Sequence, residues 1–451
     1  MPLFCRGWFV TVRYTQTFPM RYFSLAVLAI AIPGLQAQNV IALTGAKIIP
    51  VAGPEISSGV LIIQNDKVMA VGPAGTTTIP TGAKQIDATG KVIMPGLVDS
   101  HSHIGAPEGG DNSAPIQPDV RVLDSINVRD ARFDKARAAG VTIANVMPGS
   151  GHLMSGQTLY LKLRPGKTIE ELLIKLPDGR TAGGMKMANG TNPRRPTPFP
   201  GTRGKSAALD REIYIKAQEY RNKVTAAKGD GSKLPSRDLG MEALGEVLEG
   251  KRTVQFHTHR SDDIMSAIRL SQEFHFPVAL HHVSEGWVVA DEIAKANVPV
   301  SLIVLDSPGG KEEAKDAALF TAAALDKAGV MFGFHTDDPI VDSRLLRREA
   351  ALAVRAGLSR DKAIYGLTMA NARILGLQAR VGSLESGKDA DFILLSGDPL
   401  SIYTHVLETW IEGKKVFDRS DPKDRIYSTG GLGASHDQTP DVDDEVGEEN
   451  R

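Results

Sequence analysis

Between residues 93 and 379, short apolar stretches alternate with helical ones, and this alternation limits what the chain can fold into. VTIANVMP (141–148), GGMKMA (183–188), TVQFHT (253–258), PVALHH (277–282), residues 298–304 and VMFGFH (330–335) read as strands. Helical patterns run over about 124–139, 262–274, 288–296, 311–328, 343–356 and 360–375. Strands that are apolar throughout are buried on both faces, as in parallel sheets covered by helices. The fold class is therefore α/β, and the number of units fits a (β/α)8 TIM barrel at 93–379. In such a barrel the C-terminal strand ends converge on one face, where chemistry is done.

Both flanks read differently. Residues 38–92 and 380–420 carry short strands separated by turns, with a hairpin signal at Asn65-Asp66. Neither flank can close a core alone, so one small β-sandwich built from both chain ends is expected. Two stretches interrupt the pattern. Residues 190–235 read as an insertion with a helix over 206–227, whose Pro-, Gly- and Arg-rich start, PRRPTPFPGTRG, is either a lid over the barrel mouth or a plain surface loop. Residues 421–451 end in the acidic run DVDDEVGEENR and are expected to be disordered. Residues 1–37 read as a signal peptide, with Arg21 before an apolar run at 22–33 and small residues ahead of Gln38. Export to a periplasmic or secreted location is expected, with a retained anchor as the alternative and either Met1 or Met20 as the start.

Composition narrows the chemistry. A formal net charge of -1 offers no basic field for nucleic acid or for an acidic membrane surface. The single cysteine, Cys5, lies in the leader, so thiolate ligands, disulfides and a cysteine nucleophile are excluded from the mature chain. Metal chemistry must use His, Asp, Glu and Lys. Seven of the eleven histidines fall at strand ends: His101, His103, His257, His259, His281, His282 and His335. His101 and His103 are two apart on a strand, so both imidazoles point to one side. Asp337-Asp338 follows the last strand directly. Clustering on the chemical face points to a divalent metal site.

The strings GKVIMPGLVDSHSHIG, HTHRSDDI, LHHVSEG, HTDDP, LTMANARILGL and VGSLESGKDADFILLSGDP resemble the amidohydrolase superfamily over essentially the whole mature chain, within its imidazolonepropionase-like and prolidase-like branch. The resemblance implies the barrel, the two-ended sandwich and one or two divalent metals, zinc being the expected ion. It implies metal ligation by His101, His103, His257, His282 and Asp337, with Lys186 as a carboxylated bridge if two ions bind. His257 fits the fifth-strand position better than His259, which could touch substrate instead. His282 fits the sixth-strand position better than His281, and Asp337 fits the eighth better than Asp338. If Lys186 is an ordinary surface or ion-paired lysine, the site holds one ion.

The expected reaction is hydrolysis of a carbon–nitrogen bond other than an ordinary peptide bond: a cyclic amide, an N-acyl amino acid or a deaminated ring. Water activated by the metal would attack, with Asp337 as general base and then general acid. No G-x-S-x-G elbow points to a serine hydrolase. Substrate-binding candidates are His152 and His259, with Arg260 and Asp262 beside them. The partner is a small molecule, and a homo-oligomer is compatible with the sequence. An Xaa-Pro dipeptidase is the second reading, with Arg194, Arg195, Arg203 and Arg260 as sources of a cationic wall for the substrate carboxylate. A catalytically silent metal-binding scaffold is the third.

Overall fold

The computed structural model describes residues 40–105, 110–305 and 311–430. The leader expected at 1–37 and the acidic run from 431 lie outside them. Five strands come first: β1 Val40–Ile48, β2 Ile56–Gln64, β3 Lys67–Pro73, β4 Lys84–Asp87 and β5 Val92–Pro95. The middle carries β6 Leu97–Ser102, β7 Val141–Val146, β8 Met154–Gln157, β9 Leu159–Lys162 and β10 Met185–Ala188. It continues with β11 Val254–Thr258, β12 Val278–His282, β13 Val300–Leu302 and β14 Phe332–Phe334. Last come β15 Phe392–Leu395, β16 Val406–Ile411 and β17 Lys414–Asp418. The helices are α1 Arg132–Ala139, α2 Arg203–Ala226, α3 Leu239–Leu248, α4 Ser261–Phe274 and α5 Ala290–Ala296. They continue with α6 Thr321–Ala328, α7 Leu346–Arg355, α8 Arg360–Tyr365, α9 Asn371–Ile374 and α10 Pro422–Thr429.

Both chain ends share one sheet, ordered β17-β16-β15-β5-β1-β2-β3 with β4 beside β1. β15 lies antiparallel on β5, pairing Phe392 with Pro95 and Leu395 with Val92. Instead of two stacked sheets there is a single eight-stranded one, curled over a core that includes Leu43, Leu61, Ile63, Phe392 and Trp410. Because β5 belongs to it, this unit ends at Gly96 and not at 92. A Cβ on Gly96 would stand 2.3 Å from Thr142 Cγ2, so only glycine lets the chain pass β7 here.

The middle is barrel-like but departs from the expected ring of eight parallel strands. It forms a six-stranded sheet, β14-β13-β12-β11-β10-β8, and a three-stranded one, β6-β7-β9. β10 to β14 run parallel, as do β6 and β7. β8 and β9 run antiparallel to β10 and β7. For β7 and β9 the reason is local: no helix lies between them, and a parallel return needs a long crossover. β6 meets the end of β14 through Asp337 N–H donating to His101 O and His103 N–H donating to Asp338 O, both at 2.9 Å. The Asn371 amide joins the same seam, donating to Val98 O at 2.5 Å and Phe334 O at 2.6 Å.

Three further expectations are corrected. The helix expected at 124–139 shortens to α1, because Asn127 and Asp130 accept the backbone N–H groups of Arg129 and Arg132 at 3.0 and 2.8 Å and hold turns instead. Within 190–235, α2 is no insertion but a packed layer: Tyr214 stacks on Phe274 and Phe276 with ring centroids 5.2 and 4.7 Å apart. The stretch 189–202 before it is a loop, ended by Thr202 accepting from Lys205 N at 3.2 Å as the helix cap. Part of the tail expected to be disordered forms α10, with Asp421 accepting from Lys423 N at 2.9 Å and Pro422 in the first turn.

A buried ion cluster joins the end sheet to the barrel. Lys162 Nζ on β9 reaches Asp389 at 2.5 Å, Asp391 at 3.0 Å and Glu412 at 3.3 Å. Arg164 binds Glu412 and Arg380 binds Asp389, at 2.7 and 2.9 Å. Among the described residues no helix is long and apolar enough to cross a membrane.

Candidate metal centre

The strand ends of β6, β10, β11, β12 and β14 bring the expected side chains to one buried centre. Asp337 Oδ1 lies 3.1 Å from His101 Nε2 and 2.9 Å from His103 Nε2. Asp337 Oδ2 lies 4.0 Å from His282 Nε2. Lys186, fully buried on β10, places Nζ 3.1 Å from His101 Nε2 and 3.2 Å from Met147 Sδ. An ordinary surface lysine is therefore not what stands at 186. His257, His259 and His282 form a second group, with ring centroids 4.3 to 4.7 Å apart.

Among the described residues, three sets of donor atoms lie close enough together to share an ion: His101–His282–Asp337, His257–His259–His282 and His101–His281–His335. Two of the residues occupy backbone conformations that L side chains rarely adopt, His282 with φ 70° and Asp337 with φ 55°. Such residues cost of order 1–3 kcal/mol each and persist where the surroundings fix them. Here the hydrogen bonds from Asp337 N to His101 O and from Val283 N to Thr258 O, both 2.9 Å, do so.

The protonation pattern suits a metal. Burial, then the Lys186 charge, holds His101 well below the ordinary imidazole range. Burial and the neighbouring His282 and Lys311 do the same for His257, and burial does it for His281. Neutral imidazoles have lone pairs to give. Burial pushes the Asp337 carboxyl up, but the imidazoles around it, His101 foremost, carry it well below the carboxylate range.

Neighbouring groups fix which nitrogen faces the centre. His103 Nδ1–H donates to Met147 O at 2.7 Å, leaving Nε2 for the site. Gln255 Oε1 accepts from His281 Nε2–H at 2.7 Å, so His281 Nδ1 accepts from His101 Nδ1–H at 3.1 Å. His101 Nε2 then carries a lone pair, the atom to which Lys186 donates. Asp99, pushed up to about 7 by burial, accepts from the backbone N–H of His101 and of Thr336 at 3.2 Å each. It thereby holds the two strand ends in register. The donor set, its tautomers and its convergence fit a divalent metal.

Other expected residues stand apart. His152 is buried in the rim, donating from Nε2 to Asp111 O at 2.9 Å and edge-on to Phe199, with ring centroids 5.2 Å apart. Burial and Arg195 push it down to about 4. No group of candidate ligands includes it. Asp338 faces away, accepting from Ser343 N and Oγ at 2.7 Å. Arg260 is engaged by Asp262 and Arg203 by Asp263, at distances of 2.8 to 3.1 Å. Two residues beside the site had no recognisable sequence signal. Gln255 reads as one more strand residue, and Glu313, 1% exposed, falls in the helix expected at 311–328, which begins only at α6 and leaves Glu313 on a 3-10 turn.

Comparison with known proteins points to one family. The sequence model of the amidohydrolase family matches residues 312–417. The structure resembles that of an amidohydrolase from Thermotoga maritima, with TM-score 0.78 and 34% identity over 84% of this chain and 100% of that one. Amidohydrolase tasK of Hapsidospora irregularis is 30% identical over 75% of this chain, which spans only 38% of that relative's length. An imidazolonepropionase from Rhizobium rhizogenes is 24% identical over 76% of this chain and 88% of its own.

Proposed function

This chain belongs to the amidohydrolase family, whose members are metal-dependent hydrolases, and from that premise we propose that it hydrolyses a carbon–nitrogen bond in a small molecule such as a cyclic amide or an N-acyl amino acid. The observation that carries the proposal is the buried Asp337 carboxylate held between His101 Nε2 and His103 Nε2, with Lys186 Nζ on the first of these. We assign metal ligation to His101, His103, His257, His282 and Asp337, with zinc as the ion. Lys186, buried and 3.1 Å from a proposed ligand, is positioned to bridge two ions if carboxylated. A divalent metal bound there supplies Lewis acidity toward water and the scissile carbonyl. The chain's own groups do the rest. Asp337, ionised at neutral pH, takes a proton from the attacking water and returns it to the leaving nitrogen. His259, held by Ser284 Oγ at 2.8 Å from Nδ1, orients substrate from the side of β11. Export follows as a reading of residues 1–37 and predicts a mature N-terminus at Gln38.

The test is turnover of cyclic imides, N-acyl amino acids and Xaa-Pro dipeptides by wild type and Asp337→Asn. The variant is expected to keep its fold and lose about 10²–10⁴-fold in kcat on whichever substrate is accepted. Full turnover by Asp337→Asn contradicts the general-base assignment. The dipeptidase reading is weakened by Arg203 and Arg260, whose guanidinium groups are already engaged by Asp263 and Asp262.

A further inference from the structure

Glu313 sits on a short 3-10 turn, Glu312–Ala314, between β13 and α6, and is buried to 1% exposure. One oxygen is fixed: Oε2 accepts from Thr191 N at 2.7 Å. The approach needs a glycine at 190, where a Cβ would stand 2.3 Å from that oxygen. The other oxygen, Oε1, has no hydrogen-bond partner among the described residues. It stands 3.9 Å from His257 Nε2 and 4.0 Å from Lys311 Nζ, beyond hydrogen-bond reach of both. Arg203 Nη2, 3.9 Å from Oε2, belongs to a guanidinium that gives its closer bonds to Asp263, at 3.0 and 2.8 Å. Among the described residues no set of atoms close enough to share one ion includes Glu313, so the residue is not placed as a ligand.

A carboxylate oxygen buried and aimed beside a candidate ligand awaits a donor. We infer that Glu313 is a specificity-determining residue that accepts a hydrogen bond from a protonated amine of the substrate. An ammonium gives the strongest such bond, because both partners are charged. Glu313 borders His257, so the amine must lie close to the bond that is broken. Within the proposed carbon–nitrogen hydrolysis, the substrate class is therefore a cyclic or acyclic amide that carries a free amino group close to the bond that is broken. This rests on the hydrolase reading only for where the broken bond sits.

The test is calorimetric binding of L-alaninamide and of N-acetyl-L-alaninamide to the metal-bearing protein as purified. Wild type is expected to bind the free amine about 10-fold more tightly, the scale of one charge-assisted hydrogen bond. Glu313→Gln should bring the two within about twofold with metal content unchanged, and Glu313→Asp, which keeps the charge, should retain part of the preference. Equal binding of the two probes by wild type overturns the inference whether or not the variants fold. So does an undiminished preference in Glu313→Gln. A preference for the amine with no hydrolysis of any amide overturns the hydrolase reading and leaves this one standing.

Discussion

His281 and His282 are neighbours on β12 that do different work, and the difference is one of direction. His282 turns through a positive φ toward Asp337, while His281 points back along the strand and links Gln255 to His101. Gln255 thus acts on His101 without touching the centre, by fixing which ring nitrogen carries the proton. Gln255→Leu is expected to weaken metal affinity about 10–100-fold while leaving the fold intact, measured by competition with a chelator. Unchanged affinity would show that the tautomer of His101 is set elsewhere. At this scale the sequence is legible where spacing sets direction: His101 at the end of β6 and His103 just past it, two residues apart, both reach Asp337. It is illegible where direction depends on the partner strand. Gln255 is read as core, and Glu313 becomes part of the site only once its turn is laid beside residues 190 and 191.

The elements follow the apolar pattern closely where packing alone decides them. β11, α4, β12 and α5 lie within two residues of their expected bounds. Departures occur where local polar chemistry competes with the helix, as at Asn127 and Asp130 before α1, or where no helical crossover separates paired strands, as between β7 and β9. The helix expected at 206–227 forms as α2; what misleads is its Pro- and Arg-rich approach, which makes it read as an insertion although its buried face, Ser206, Asp210, Tyr214 and Ala217, repeats every three or four residues. The loop 189–202 then belongs to the mouth, where Arg195 donates to Gly151 O at 2.6 Å and stacks over Phe199.

For the whole molecule, the join between end sheet and barrel is ionic at its centre. The GKDAD string of the family resemblance places Asp389 and Asp391 around Lys162. Removing one partner of a buried ion cluster leaves the others uncompensated, so Lys162→Ala is expected to cost about 3–5 kcal/mol. The cluster also sets acid stability. Burial raises Asp389 and Glu412, but Lys162 and, for Glu412, Arg164 outweigh it and hold both at about 2, below their ordinary values of 3.8 and 4.5. Groups depressed on folding contribute stability above their unfolded values and lose it as pH falls through the folded ones. Asp391, pushed up by burial, has the opposite sign. The wild-type Tm should therefore fall as pH drops below about 4, and Lys162→Ala should flatten that fall. An identical pH profile in the variant would remove the cluster from the account.

Metal content per chain is the most direct test of the central claim. It would be measured by elemental analysis on full-length protein purified with bicarbonate present, for wild type, His101→Ala and Lys186→Ala. The account predicts bound divalent metal in wild type, lost or sharply reduced in His101→Ala, with two ions falling to one or none in Lys186→Ala. One ion in both wild type and Lys186→Ala would remove the lysine from the centre and leave a mononuclear site. Wild type without metal, or His101→Ala with its full complement, would contradict the account.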